Sequence, residues 1–292
     1  MKVPFVDLGA VHRPIAKETE DAIARVLESQ HFILGPEVSG FEQAFSKHLG
    51  FSGSVLGTSS GTSALMLALL ALDLRPEDEV IVPAYTFVAT AMTVARTGAT
   101  PVFVDVEEDS LNMDVSKALD AITPRTKAVV PVHLFGRMAD VTALKRGLAS
   151  TGRQIPIIED TAQSQGASLE GHYAGTLGAI GCFSFFPAKN LGCFGDGGAV
   201  ATGDADVLET MRCDRAHGGS RKYYHTRLGL NARLDAIQAA ILKVRLPHVG
   251  RWIDERRSNA SKYDDAFSEL RALDLVRLPP VDDDRFFHSY NQ

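Results

Sequence analysis

Short apolar runs rich in β-branched residues recur along the first half of the chain, at Gly53–Gly57, Val80–Val82, Pro101–Val104, Ala128–Val132 and Ile155–Ile158. Each is bounded by Gly, Pro, Asp or Thr, and each is separated from the next by a segment long enough for a crossover helix. Neighbouring parallel strands require such crossovers. The alternation predicts an α/β fold, a mainly parallel (mixed) sheet with helices on both faces. In sheets of this kind ligands gather at the carboxyl ends of the strands, so the residues just after each run carry the search for a site.

Helical patterns frame these runs. Residues 15–27 place Ile15, Ile23, Val26 and Leu27 on one face, and from Asp204 onward the chain reads as helices over Val207–Arg215, Leu234–Leu246 and Arg251–Leu270. Pro247 separates the last two, and Pro279-Pro280 ends them. The closing run FFHSYNQ reads as the start of a strand with no partner following it. There is no internal repeat and no low-complexity segment.

Composition narrows the partners. With 30 basic and 36 acidic side chains the formal charge is −6, and neither basic runs nor basic stripes interleaved with aromatics occur, so nucleic acid and anionic membrane are not expected. A hydrophobic content of 45% over 292 residues suffices for a large core. The opening MKVPFVDLGAVHRP lacks a basic head followed by an apolar run, and the longest apolar stretch, Ala64–Leu72, is roughly half a membrane span. Three cysteines without a C-x-x-C pair and nine histidines without an H-x-x-x-H pair predict neither disulfides nor a metal site. The expected compartment is the reducing cytoplasm.

Three strings carry chemistry. Gly57-Thr58-Ser59-Ser60-Gly61-Thr62-Ser63 lies between an apolar strand and the helical run ALMLALLAL. A turn of small residues opening a helix presents N–H groups and hydroxyls at the positive end of the dipole, which suits a phosphate; capping alone would give the same pattern. The string also fits G-x-S-x-G, which would make Ser59 a hydrolase nucleophile, although no glycine cluster precedes it to form an oxyanion loop. Neither dinucleotide nor P-loop fingerprints occur. Ile157-Ile158-Glu159-Asp160-Thr161-Ala162-Gln163 places two carboxylates at a strand end, pointing to opposite sides. One can pair with a cationic ring nitrogen, and Gln163 can donate to a ring oxygen; the alternative is a simple helix cap. Cys182-Phe183-Ser184-Phe185-Phe186-Pro187-Ala188-Lys189-Asn190 sets a lysine among aromatics. Partial desolvation would lower its pKa and free the amine for Schiff-base chemistry, whereas a snorkelling surface lysine would read identically. Phe87, in PAYTFVAT, is a stacking platform or core.

Pyridoxal 5′-phosphate uses a lysine, an acid at its ring nitrogen, an anion cup and an aromatic face together. The strings VPFVDL, SSGTSAL, VIVPAYTFVAT, PVHLFGR, IIEDTAQSQGA, CFSFFPAKNLG, GGAV and LGLNARLDAIQAAIL resemble the sugar aminotransferases of the DegT/DnrJ/EryC1/StrS family, with the large-domain aspartate aminotransferase fold. That resemblance implies catalytic roles for Lys189, as the Schiff-base lysine, and for Asp160, as the partner of the pyridine nitrogen. It further implies Gln163 at the ring hydroxyl, Phe87 on the ring, and Ser60, Gly61, Thr62 and Ser184 at the phosphate. Asn231, in the N-x-R-L-D string, would reach the phosphate from the neighbouring subunit, so the active site would be shared within a homodimer.

The family moves an amino group from L-glutamate to a nucleotide-linked keto sugar, and relatives that dehydrate carry histidine where this chain has Lys189. The segment Lys222-Tyr223-Tyr224-His225 resembles members acting on 3-keto sugars, which sets a 3-keto above a 4-keto substrate. Residues 1–248 would form the cofactor-binding large domain, and 249–292 the beginning of a small C-terminal domain that the family continues further. A non-catalytic binding or regulatory protein of the same fold is the alternative expectation.

Overall fold

The computed structural model describes residues 6–221 and 223–291. Seven strands among them build the central sheet: β1 (Ser54–Thr58), β2 (Glu79–Pro83), β3 (Thr100–Val104), β4 (Thr126–Val129), β5 (Ile158–Asp160), β6 (Ile180–Ser184) and β7 (Gly198–Thr202). Ladders join β1-β7-β6-β5 and β3-β2-β4, and the bridges Val129–Ile157 and Val132–Asp160 link β4 to β5. The order across the sheet is therefore β1-β7-β6-β5-β4-β2-β3. Only β7 runs antiparallel to its neighbours. The mixed α/β expectation holds.

Helices cover both faces: α1 (Ala16–Ser29), α2 (Pro36–His48), α3 (Gly61–Leu70), α4 (Ala89–Arg96), α5 (Val141–Ser150), α6 (Ala205–Arg215), α7 (Ala236–Arg245) and α8 (Val249–Ala266). Alternation along β6 divides the core between them. Phe183 and Phe185 join Phe41 and Phe45 of α2 and the apolar faces of α1 and α7. Ile180 and Cys182 point the other way, into a cluster with Leu65, Leu67 and Val80. α3 is apolar nearly all round because it is covered all round, lying on β6 and β7 beneath α4 and α6.

Element edges depart from expectation in instructive places. The run expected at Ile155–Ile158 is a strand at Ile158–Asp160, because the two acids that end its apolarity are themselves buried and stay in the ladder. On α1 the buried stripe is Ile15, Thr19, Ala22 and Val26, spaced by three and four residues; Leu27 lies a further 100° round and is half exposed. Phe286–Phe287 does find a partner strand, earlier in the chain, at Ser168–Leu169. Residues 288–291 then run along the 135–136 turn, with His288, Ser289 and Asn291 buried, Ser289 N–H donating to Gly136 O at 2.8 Å and Asn291 N–H to Phe135 O at 2.9 Å. Among the described residues no helix is long and apolar enough to cross a membrane.

Candidate active site

The carboxyl ends of β1, β5 and β6 open onto one cavity of about 510 Å³. At its β1 side Ser60 caps α3, its Oγ accepting from Ser63 N–H at 3.0 Å. This leaves the first N–H groups of a ten-residue helix at the cavity wall. The approach of α3 to β6 depends on Gly61, where a Cβ would lie 2.7 Å from Ser184 Cβ. Similarly, a Cβ on Gly198 would lie 2.4 Å from the Ser60 backbone. Glycine at both positions lets the helix start, Thr62 and Ser184 converge on the same space.

Across the cavity, Asp160 ends β5 and is 5% exposed. Burial raises its pKa, while the Thr90 hydroxyl, donating to Oδ2 at 2.9 Å, and the Ala162 N–H, donating to Oδ1 at 3.2 Å, pull the other way. Since the Thr90 proton is committed to Asp160, the 2.9 Å contact with Thr86 makes the Thr86 hydroxyl the donor to Thr90. Lys189, half-buried in the turn after β6, has its pKa lowered by burial, against an opposing attraction from Asp160. An amine whose charged form is disfavoured by burial therefore faces a carboxyl held by two donors.

The second acid, Glu159, turns to the opposite side as the strand alternation requires. It is fully buried and accepts from Gly175 N–H at 3.0 Å, Leu177 N–H at 2.8 Å and His133 Nε2 at 2.8 Å. Burial raises its pKa, but His133 and the Gly178 and Gly175 N–H groups more than offset that, and the net direction is down. His133 Nδ1 accepts from Ala139 N–H at 3.1 Å, which leaves the ring hydrogen on Nε2. Glu159 thus fixes the loop around the site without entering it.

Ser60, Gly61, Thr62, Phe87, Asp160, Gln163, Ser184 and Lys189 all line this cavity. Gln163 accepts from Phe135 N–H at 2.9 Å through Oε1, so its amide N–H groups are the atoms left for a ligand. Phe87 stands 70% exposed at the mouth. Asn231 is exposed, bridged to Ala216, and absent from the lining. The Ser59 hydroxyl contacts Ser63 Oγ at 2.8 Å and bonds no histidine among the described residues, so the hydrolase arrangement is not assembled. Lys222, the first residue of the KYYH segment, lies outside the described residues, as do residues 1–5 and Gln292. Thr86, Thr90 and His133 were not singled out from the sequence; the Thr86–Thr90 spacing, one helical turn at a strand end, was the available signal.

These features fit pyridoxal 5′-phosphate. The helix start and Ser184 are pressed together by glycine into an anion cup, and a buried carboxyl with two donors sits across the cavity from a partly desolvated amine. The whole architecture matches a solved class: a DegT DnrJ EryC1 StrS aminotransferase from Brucella abortus has a TM-score of 0.93 at 38% identity, over 100% of this chain and 78% of that one. The protein is an enzyme of the pyridoxal phosphate-dependent aminotransferase class. More closely, the family model of the DegT/DnrJ/EryC1/StrS aminotransferases matches residues 14–291, and the chain belongs to that family. It is 44% identical to the dTDP-3-amino-3,4,6-trideoxy-α-D-glucose transaminase of Streptomyces venezuelae, over 99% of this chain and 75% of that protein. It is also 44% identical to the UDP-N-acetyl-3-dehydro-α-D-glucosamine 3-aminotransferase of Acidithiobacillus ferrooxidans, over 99% and 77%.

Proposed function

We propose that the protein transfers the amino group of L-glutamate to the 3-keto carbon of a nucleotide diphosphate-linked sugar, releasing 2-oxoglutarate and the 3-amino sugar. The observation that carries the reading is the opposition of Lys189 and Asp160 across one cavity, with pKa directions that bring the amine toward neutrality. Both relatives described above are named for amino transfer at carbon 3, which favours a 3-keto over a 4-keto substrate.

When bound, the cofactor supplies an electron sink for the carbon that loses or gains the amine. Lys189 would hold it, and its amine would take the proton from the donor carbon and return one to the sugar carbon. A lowered pKa leaves more of the amine free to do so at neutral pH. Asp160 would pair with the ring nitrogen, its charged form favoured by Thr90 and the Ala162 N–H against the burial that raises its pKa. Gln163 would donate to the ring oxygen, and Phe87 would offer its exposed face to the ring. Ser60, Gly61, Thr62 and Ser184 would hold the phosphate at the positive end of α3. Asn231 would serve the phosphate of a neighbouring subunit, which would make the working unit a homodimer; its compartment is taken to be the cytoplasm. Residues 1–248 are assigned to the cofactor-binding domain and 249–292 to a smaller one.

The test is incubation with L-glutamate and a panel of dTDP- and UDP-linked 3-keto and 4-keto sugars, with products read by mass spectrometry. A 3-amino product is expected. Products from 4-keto sugars alone would remove the 3-keto assignment, and failure to release 2-oxoglutarate with any sugar would remove the reaction. Borohydride fixation followed by peptide mapping should place the cofactor on Lys189; labelling elsewhere would reassign the amine.

A further inference from the structure

A second cavity, of about 340 Å³, lies outside the candidate active site, between the short helix Leu8–His12, the end of α7 and the far side of the Lys189 turn. Its walls are mostly apolar, with Leu8, Pro187 and Phe194 among them, yet Arg245 also lines it. Arg245 is 4% exposed, and among the described residues its guanidinium has neither an acidic partner nor a hydrogen bond. Ring faces flank it: its Cζ lies 4.9 Å from the Trp252 centroid and 5.8 Å from that of Phe194. Aromatic faces attract the charge but satisfy none of the five N–H donors.

Cys193, the remaining group of the wall able to carry negative charge, does not supply it. Burial pushes its thiol up to about 12, and its Sγ lies 3.0 Å from Phe185 O and 3.2 Å from Gly195 O, both acceptors for the thiol hydrogen. A second orphan meets the first at Phe194. His12 packs edge-on to that ring at 4.9 Å, and its Nδ1 is buried without a hydrogen-bond partner. A buried guanidinium with no counter-charge is costly, and the fork of an arginine matches a carboxylate in plane and spacing.

We propose that this cavity is a binding site for a small carboxylate with an apolar body, the carboxylate forked on Arg245 and within the reach of His12, the body against Leu8, Pro187 and Phe194. The volume is in the range of small-molecule sites. Pro187 and Cys193 flank the turn that carries Lys189, so an occupant would touch the back of that turn.

Benzoate is a suitable probe, with benzamide as its neutral counterpart of nearly equal shape. Trp252 is the only tryptophan of the chain and lies against Arg245, so its emission reports on the site. In the cofactor-loaded enzyme, whose phosphate cup is filled, benzoate should shift that emission saturably and benzamide should not. Arg245→Met should weaken benzoate binding at least tenfold by titration calorimetry. Equal responses to the two probes, no saturable response, or unchanged affinity in Arg245→Met would each overturn the site. Should that variant fail to fold, wild-type crystals soaked in 4-bromobenzoate decide: an anomalous bromine peak in this cavity supports the proposal, and a featureless cavity ends it.

Discussion

At the scale of single residues, the candidate site was legible where chemistry is concentrated in a short string and illegible where a role is created by folding. Lys189 among its phenylalanines and Asp160 at a strand end announce themselves. Thr90 does not, because its partner Asp160 is 70 positions away. Nothing local marks the tie of His133 to Glu159 either, since Glu159 lies 26 positions away on β5. Thr90 nevertheless bears on the proposed reaction. Replacing it with valine keeps the shape and removes one of two donors opposing the burial of Asp160, so the carboxyl pKa rises further. A hydrogen bond to a charged group contributes about 1.5–3 kcal/mol, which corresponds to roughly 10–100-fold in rate if it is all lost in the transition state. Thr90→Val should lower kcat within that range and move the acid limb of the kcat–pH profile to higher pH, because Asp160 must be ionised to act. Thr90→Ser should restore most of both. An unchanged acid limb in the valine variant would show that Thr90 does not tune Asp160.

Among the elements, five strands were readable from apolar runs, whereas β6 and β7 were not. Their strings, IGCFS and GAVAT, mix glycine and small residues, and β7 belongs between β1 and β6 only because tertiary pairing puts it there. The glycine that opens β7, Gly198, is one the site needs, because a Cβ there would lie 2.4 Å from the Ser60 backbone; Gly61 at the start of α3 is its counterpart. Gly61→Ala would put a methyl 2.7 Å from Ser184 Cβ and push the start of α3 away from β6. Pyridoxal phosphate affinity should fall about tenfold or more, the equivalent of a single lost anion contact of about 1.4 kcal/mol, as read by equilibrium dialysis. A variant that retains wild-type affinity would mean that the cup tolerates widening. The anchoring of β1 can be tested separately. Glu42 of α2 accepts from Arg215 at 2.9 Å and from Gly57 N–H at 2.8 Å, while Arg215, 5% exposed on α6, also donates to Gly57 O at 2.8 Å. Glu42→Ala strips a buried cation of its partner and should cost about 3–5 kcal/mol in denaturant unfolding. A loss below about 1 kcal/mol, the level of an exposed pair, would show that water takes the place of Glu42.

For the whole molecule, the boundary expected at residue 248 says nothing of how the last residues return to the site. That return rests on contacts of very long range. Asn190, next to Lys189, donates to Ser289 O at 3.2 Å, Ser289 is tied to Gly136, and Arg257 donates to His288 O at 2.9 Å. The segment includes His288, 3% exposed and stacked on Tyr290 at 3.9 Å, whose Nδ1 accepts from Tyr290 N–H at 2.9 Å. Burial, reinforced by the charge of Arg137, depresses its pKa to about 4 from the ordinary 6.5. Between those values the unfolded chain binds a proton that the folded chain refuses, so stability rises with pH across the window and is lost as pH falls. The full difference is on the order of 3 kcal/mol, complete above about pH 6.5. Urea midpoints of the wild type should therefore drop between pH 7 and pH 4.5. His288→Asn, which keeps an acceptor for Tyr290 but has no proton to gain, should lose much of that dependence. Parallel slopes in the two proteins would assign acid sensitivity elsewhere. A steeper wild-type slope accompanied by loss of bound cofactor in the same window would tie the state of the 288–291 segment to the turn that carries Lys189.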